Sequence, residues 1–253
     1  NPFLWLALSR ASLILVRTAE TARALPPPYV RKSIEHQEIG APTVRRQSPL
    51  MARGPGDPLR LIFAGRLLSL KGIHLALRAV ARARSAGTKL HFTIIGSGPR
   101  EQWLKELAAS LALDTTIVQW IKRIPQDQLF EIYEGAHCLL FPSLRDSGGN
   151  VVLEAMAFGL PVICLDLGGP KTLVDEQCAV VVPATGRSEV QVVDTLAQAL
   201  TEIAANDMQR LAMSRAALAK ANSMVWEKRV FDGMTLIKDH CFPIHSRLRR
   251  NTC

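Results

Sequence analysis

His137-Cys138-Leu139-Leu140-Phe141-Pro142-Ser143-Leu144-Arg145-Asp146-Ser147-Gly148-Gly149-Asn150-Val151-Val152-Leu153-Glu154-Ala155-Met156-Ala157-Phe158-Gly159-Leu160-Pro161 carries a strand, a glycine turn and a helix in one stretch. His137–Phe141 reads as a buried strand closed by Pro142. Val151–Phe158 reads as a short helix closed by Gly159, and Pro161–Leu165 opens the next strand. Gly148 and Gly149 let the backbone approach a ligand closely. The free N–H groups where the helix starts favour an anion.

The same alternation runs through the chain on either side. Leu61–Ala64, Leu90–Ile95, Thr115–Trp120 and Ala179–Val182 read as further strands. Ile73–Ala86, Arg100–Leu113, Pro125–Glu134, Glu189–Asn206, Met208–Ala221 and Val225–Asp239 have helical spacing. Strand and helix in alternation predict an α/β fold, a parallel sheet flanked by helices on both faces, Rossmann-like in type. Such sheets bind ligands at the carboxyl ends of their strands. Before residue 59 the pattern is less regular. Ala11–Val16 reads as a buried strand followed by a helix from about Glu20. The stretch from Pro26 to Pro58 holds seven prolines and reads as an irregular connector. Phe3–Leu8 is apolar but too short and interrupted to span a membrane, and no signal-peptide pattern is evident.

Composition narrows the function. The 253 residues are 48% hydrophobic and 21% charged, ordinary for a globular protein and sufficient for a full core. Lys and Arg number 31 against 22 Asp and Glu, a net +9, which favours an anionic partner. Aromatic residues at 6% are too sparse for the stacking platforms of a single-strand nucleic-acid binder. Five cysteines without a CxxC pair argue against a zinc or redox motif and suit a reducing, cytoplasmic setting. No His, Asp and Glu cluster has metal-ligand spacing, so neither metal nor cofactor is expected. His74, His91 and His137 sit in or beside regular elements and read as structural.

Three glycine breaks follow strands. In Gly65-Arg66-Leu67-Leu68-Ser69-Leu70-Lys71-Gly72, Arg66 offers a planar fork and Lys71 a point charge near a helix start. The two make either a diphosphate clamp or a pair of solvated cations. Gly96-Ser97-Gly98-Pro99-Arg100 is no dinucleotide fingerprint, because Glu101 stands where a third glycine belongs. In the third break, Glu154 is suited to two sugar hydroxyls as donors, and Asp146 to another part of the same ligand. The plainer alternative makes Asp146 a helix cap and Glu154 a solvent-facing residue.

These pieces together resemble the donor-binding C-terminal domain of family 4 glycosyltransferases, which have the two-domain B-type fold. The resemblance runs from about Leu59 to Asp239. It rests on Gly65-Arg66-Leu67 with Lys71-Gly72, Gly96-Ser97-Gly98-Pro99, Pro142-Ser143, Asp146 and Glu154 eight apart, Gly159-Leu160-Pro161-Val162 and Gly168-Gly169. Trp226-Glu227-Lys228-Arg229 is similar to the helix that crosses back onto the N-terminal domain.

The resemblance implies a retaining transfer of a sugar from a nucleotide-sugar donor to a glycan, lipid or small-molecule acceptor. It implies that Arg66 and Lys71 bind the donor diphosphate, Glu154 holds the ribose and Asp146 lies near the transferred sugar, these first two and Asp146 being the catalytic candidates. Gly65, Gly96, Gly98, Ile121, Gly148, Gly149, Asn150 and Val151 complete the expected donor pocket, with the base near Trp120–Ile124. Two departures bear on the sugar end: Asp replaces the usual Glu at 146, and Ser147-Gly148-Gly149 replaces Gly-Phe-Gly. The expected organisation is 1–58 as the end of the N-terminal domain and linker, 59–240 as the donor domain, and 241–253 as a basic tail. The remaining N-terminal domain is an expected partner, and the chain alone is expected to bind donor without transferring sugar. Arg247-Leu248-Arg249-Arg250 would suit acidic lipid at the inner membrane face, or be a solvated tail. A non-catalytic nucleotide-binding module is the alternative. A glycosidase using Asp146 and Glu154 has no need of Arg66, Lys71 and a glycine-led helix start.

Overall fold

The computed structural model describes residues 2–43, 46, 52–54 and 56–241. The basic tail beyond 241 lies outside them. The chain divides into two units, one formed by the described parts of Asn1–Gly40 and Met224–Cys253, the other by those of Ala41–Ser223.

The first unit opens with helix α1 (Pro2–Arg10), strand β1 (Ile14–Val16), helices α2 (Ala19–Arg23) and α3 (Pro27–Val30), and strand β2 (Ser33–Glu35). β1 and β2 pair in parallel, Ile14 opposite Ser33. Thr18 caps α2 by accepting from the Thr21 N–H. Two sequence expectations are corrected here. The strand expected over 11–16 is only Ile14–Val16, because α1 runs on to Arg10 and the Ala11 N–H still donates back to Ala7. The stretch after Pro26 is not wholly irregular. Pro27 and Pro28 occupy the first turn of a helix, where a missing N–H costs nothing, and β2 follows.

The second unit carries β3 (Leu59–Ala64), a 3₁₀ turn (Ser69–Lys71), α4 (Ile73–Ser85), β4 (Leu90–Ile95), α5 (Glu101–Ser110), β5 (Val118–Ile121), α6 (Gln126–Gly135) and β6 (Cys138–Phe141). It continues with α7 (Asn150–Ala157), β7 (Val162–Leu165), α8 (Gly168–Leu173), β8 (Ala179–Val182), α9 (Glu189–Ala205) and α10 (Asp207–Ser223). The six strands form one sheet, all parallel, in the order β5-β4-β3-β6-β7-β8. Strands covered on both faces must be apolar throughout, and every residue of β6 and β7 is buried. Phe63 and Phe141 stack 5.6 Å apart between the two central strands. α4 lies against α9, and α7 against α10.

β5 begins three residues later than its apolar run suggests. The Asp114 carboxylate accepts from the Thr116 N–H and hydroxyl, and this turn uses up the residues before Val118. α8, for which the sequence gives no helical expectation, has Gly168-Gly169-Pro170 as its first turn. Helix α11 (Trp226–Cys241), expected within 59–240 and likened at Trp226–Arg229 to the helix that crosses back onto the N-terminal domain, groups with the first unit. There a Cβ on Gly40 would collide with the Trp226 backbone, and one on Gly233 would stand 2.7 Å from the His36 ring.

The strand order sets where the sheet opens a crevice. From β3 the chain winds outward through β4 to β5. It then returns to β6 on the other side of β3 and winds out through β7 to β8. The connections therefore diverge between β3 and β6, leaving a crevice at their carboxyl ends.

Candidate functional site

The two loops flanking that crevice are the first and third glycine breaks. After β3 the chain passes Gly65 and Arg66 and turns through Ser69–Lys71 into α4. Gly72 is left-handed at φ 67°, and a Cβ there would fall on the Pro142 carbonyl. Only glycine lets the two loops approach so closely. The contact is reinforced by the Leu144 N–H, which donates to the Leu70 carbonyl at 2.9 Å, and by the buried Ser143 hydroxyl, which reaches it at 3.2 Å. Lys71 is thereby carried under the 142–146 loop.

There the Lys71 ammonium pairs with the Asp146 Oδ2. The other oxygen, Oδ1, accepts from the backbone N–H groups of Gly148 at 3.0 Å and Gly149 at 2.9 Å. The ammonium also lies 5.5 Å from the Phe141 ring centroid. Burial pushes the Asp146 pKa up, but the Lys71 ammonium and the two N–H donors outweigh it and hold the carboxyl below its usual range. Gly149, left-handed at φ 76°, caps α7, and its Cβ would meet Leu173 and Pro170 of α8. The cap reading of Asp146 is thus realised in part: its carboxylate shapes the turn into α7.

On α7, Val152, Leu153 and Ala155–Ala157 are buried, whereas Asn150 is exposed and Val151 and Glu154 are half-buried. Residues three and four apart share a helix face, so these three form one stripe away from the core. Glu154 Oε1 accepts from the Gln126 amide at 2.9 Å. Burial raises the Glu154 pKa, and the Gln126 bond offsets part of that rise. Gln126 opens α6, just beyond the loop that follows β5. Sequence reasoning missed it; a polar side chain directly after Pro125, in the first turn of a helix at a strand's carboxyl end, was the available signal.

The other expected residues are Arg66, Gly96, Gly98 and Ile121. Arg66 is exposed and has no acidic partner among the described residues. Gly96 and Gly98 serve the backbone. A Cβ on Gly96 would fall on the Gly65 carbonyl, and one on Gly98 would stand 2.5 Å from that of Leu67. The Leu67 N–H donates to the Ser97 carbonyl at 3.0 Å. The second break therefore buttresses the first. Ile121 ends β5, its carbonyl accepting from the Gly96 N–H at 2.9 Å. The structure joins Lys71, Asp146, Gly148 and Gly149 directly; Arg66 and Glu154 are bonded to none of these. His137 lies at the opposite end of the sheet, its Nδ1 accepting from the Arg60 N–H at 3.1 Å. Two cavities of about 580 and 560 Å³ also open at that end, around Thr88 and Lys89, and none of the expected site residues lines them.

A doubly wound parallel sheet with glycine-built loops meeting at its switch point defines an α/β protein of Rossmann-like type. Residues 52–220 match the family model for glycosyl transferases group 1, and the chain belongs to that family. A D-inositol 3-phosphate glycosyltransferase of Corynebacterium urealyticum is 32% identical over 200 residues, covering 74% of this chain and 45% of that protein. Among solved structures, the pneumococcal O-GlcNAc transferase GtfA in complex with UDP and GlcNAc matches with TM-score 0.73 at 20% identity, over 96% of this chain and 48% of that one. Anabaena Alr3699/HepE in complex with UDP and glucose matches with TM-score 0.73 at 15% identity, over 94% and 66%. At such identities the two structures bear on the fold, which is that of B-type glycosyltransferases. The chain spans under half the length of the curated relative.

Proposed function

We propose that this chain is the nucleotide-sugar-binding part of a retaining glycosyltransferase. Arg66 and Lys71 hold the donor diphosphate, the α7 N-terminus faces its charge, and Glu154 accepts from the ribose hydroxyls. The observation that supports this is that the loops after β3 and β6 bring Lys71 to the glycine-capped start of α7, with Arg66 exposed on the first loop and without an acidic partner among the described residues, and Glu154 on α7. Sugar transfer leaves negative charge on the departing diphosphate. Cations and a helix N-terminus that face that charge stabilise it. The residues of this chain match under half of the curated relative's length; with the acceptor held outside the matched part, they bind donor by themselves and do not transfer sugar. The structural likeness to proteins solved with UDP makes UDP the first nucleotide to try.

A thermal-shift panel of UDP, GDP and ADP, each with its sugar conjugates, tests this. Ligand at a hundred times its Kd adds about 2.7 kcal/mol of stability. For a unit of this size that raises Tm by about 5–11 °C. No shift with any nucleoside diphosphate at millimolar concentration refutes the reading.

A further inference from the structure

The inference rests on the donor-site reading above and concerns how its two cations differ. Both oxygens of the Asp146 carboxylate are turned inward, Oδ1 onto the Gly148 and Gly149 N–H groups and Oδ2 onto the Lys71 ammonium. Its main chain is equally fixed. The Asp146 carbonyl accepts from the Gly169 N–H at 2.7 Å, and a Cβ on Gly168 would stand 2.5 Å from that carbonyl. Lys71 is anchored from its own side by the 3₁₀ turn and Gly72. The paired side chains are only 21% and 15% exposed. Arg66, a few residues earlier, is exposed.

We propose that Asp146 is a positioning residue which holds Lys71 and the turn into α7 as a closed pair, so that an arriving diphosphate meets Arg66 first and gains Lys71 only by drawing its ammonium away from Asp146. The competition is between two anions for one cation in a partly desolvated place, where charge interactions are screened less than at the surface. A ligand with one charge competes poorly against a carboxylate that is already held in place by two further donors. A diphosphate, bound first through Arg66, brings a second charged group to the same ammonium. The pair thus favours diphosphates over singly charged anions.

Calorimetric titration of inorganic pyrophosphate, and then UDP, into wild type, Asp146→Asn, Lys71→Met and the double variant tests this. Asparagine keeps an oxygen for the Gly148 and Gly149 N–H groups, loses the charge and turns an amide NH2 in place of Oδ2 toward Lys71, so the ammonium is no longer held. Asp146→Asn should tighten pyrophosphate binding about tenfold. Lys71→Met should cost less than about threefold in the wild type and about tenfold or more in the Asp146→Asn background. Acylation of lysine amines followed by peptide mass spectrometry gives an independent readout. Lys71 should react slowly in the wild type, several-fold faster in Asp146→Asn, and slowly again in that variant with pyrophosphate bound. If Asp146→Asn does not fold, Asp146→Ser, whose hydroxyl still accepts from a backbone N–H, takes its place. Weaker or unchanged pyrophosphate binding in the charge-free variant, or an equal cost of Lys71→Met in both backgrounds, overturns the proposal while leaving the donor site intact. Wild type that binds neither pyrophosphate nor UDP overturns the donor-site reading, and this proposal with it.

Discussion

Replacing Glu154 with glutamine changes one oxygen to an amide nitrogen at the centre of the proposed ribose contact. An ionised carboxylate has about four acceptor sites, and Gln126 takes one of them on Oε1. If the substituted amide keeps its oxygen on Gln126, a single acceptor site remains for two ribose hydroxyls. At least one charge-assisted hydrogen bond is then lost, about 1.5–3 kcal/mol. Releasing a half-buried charge from its desolvation returns part of that, so the expected loss is about tenfold in UDP affinity. Calorimetry with UDP and its 2′,3′-dideoxy analogue isolates the effect. Wild type should strongly prefer UDP, and Glu154→Gln should bind the two nearly alike. Equal discrimination by both proteins would refute the reasoning. The fold should respond in the opposite sense. Burial raises the Glu154 pKa, so the native state holds this proton more tightly than the unfolded chain. Wild type therefore loses stability as pH rises from the ordinary value of 4.5 through the raised one. Glu154→Gln should melt higher than wild type at pH 7, and the gain should vanish well below pH 4.5.

Three further outcomes follow from other parts of the second unit. Gly72→Ala forces a left-handed alanine and sets a Cβ on the Pro142 carbonyl; it should cost more than about 2 kcal/mol by chemical denaturation and weaken pyrophosphate binding. Asp207 pairs with Arg53 at 3.0 Å and with the buried Arg210 at 2.6 Å; Asp207→Asn should cost about 3 kcal/mol, seen as a Tm lower by about 6–12 °C at pH 7. Burial lowers the His137 pKa to about 3, so stability should fall as pH drops from 6.5 towards 3 while the unfolded chain takes up the proton; His137→Gln, which can still accept from Arg60, should flatten that part of a pH–denaturation profile.

The central strands were legible because a parallel sheet buried on both faces writes itself as unbroken apolar runs, as in Leu139-Leu140-Phe141. Helix ends were legible to within a few residues wherever a glycine or proline marks them. Strand order is a different matter. Nothing local in β3 or β6 says that they are neighbours, so the crevice between Gly65 and Pro142 emerges only from the assembled sheet. Arg66 and Lys71 look alike as two cations in one loop. The fold separates them, because Gly72 turns Lys71 under a loop 75 residues away and leaves Arg66 in solvent. Gln126 and Glu154, 28 residues apart, meet only when α6 and α7 are in place. α3 and α8 are hard to read for a shared reason: each opens on prolines or glycines, which carry no helical signal yet are compatible with a helix's first turn.

The most direct test of the account is calorimetric titration of UDP, uridine and pyrophosphate into wild type and Arg66→Ala. Arg66 is the exposed cation at the switch point, and one charge-assisted hydrogen bond lost there is about ten- to a hundredfold in affinity. UDP and pyrophosphate should weaken by that factor while uridine binds as before. UDP and uridine weakened alike, or UDP binding untouched by the substitution, would contradict a diphosphate site between β3 and β6.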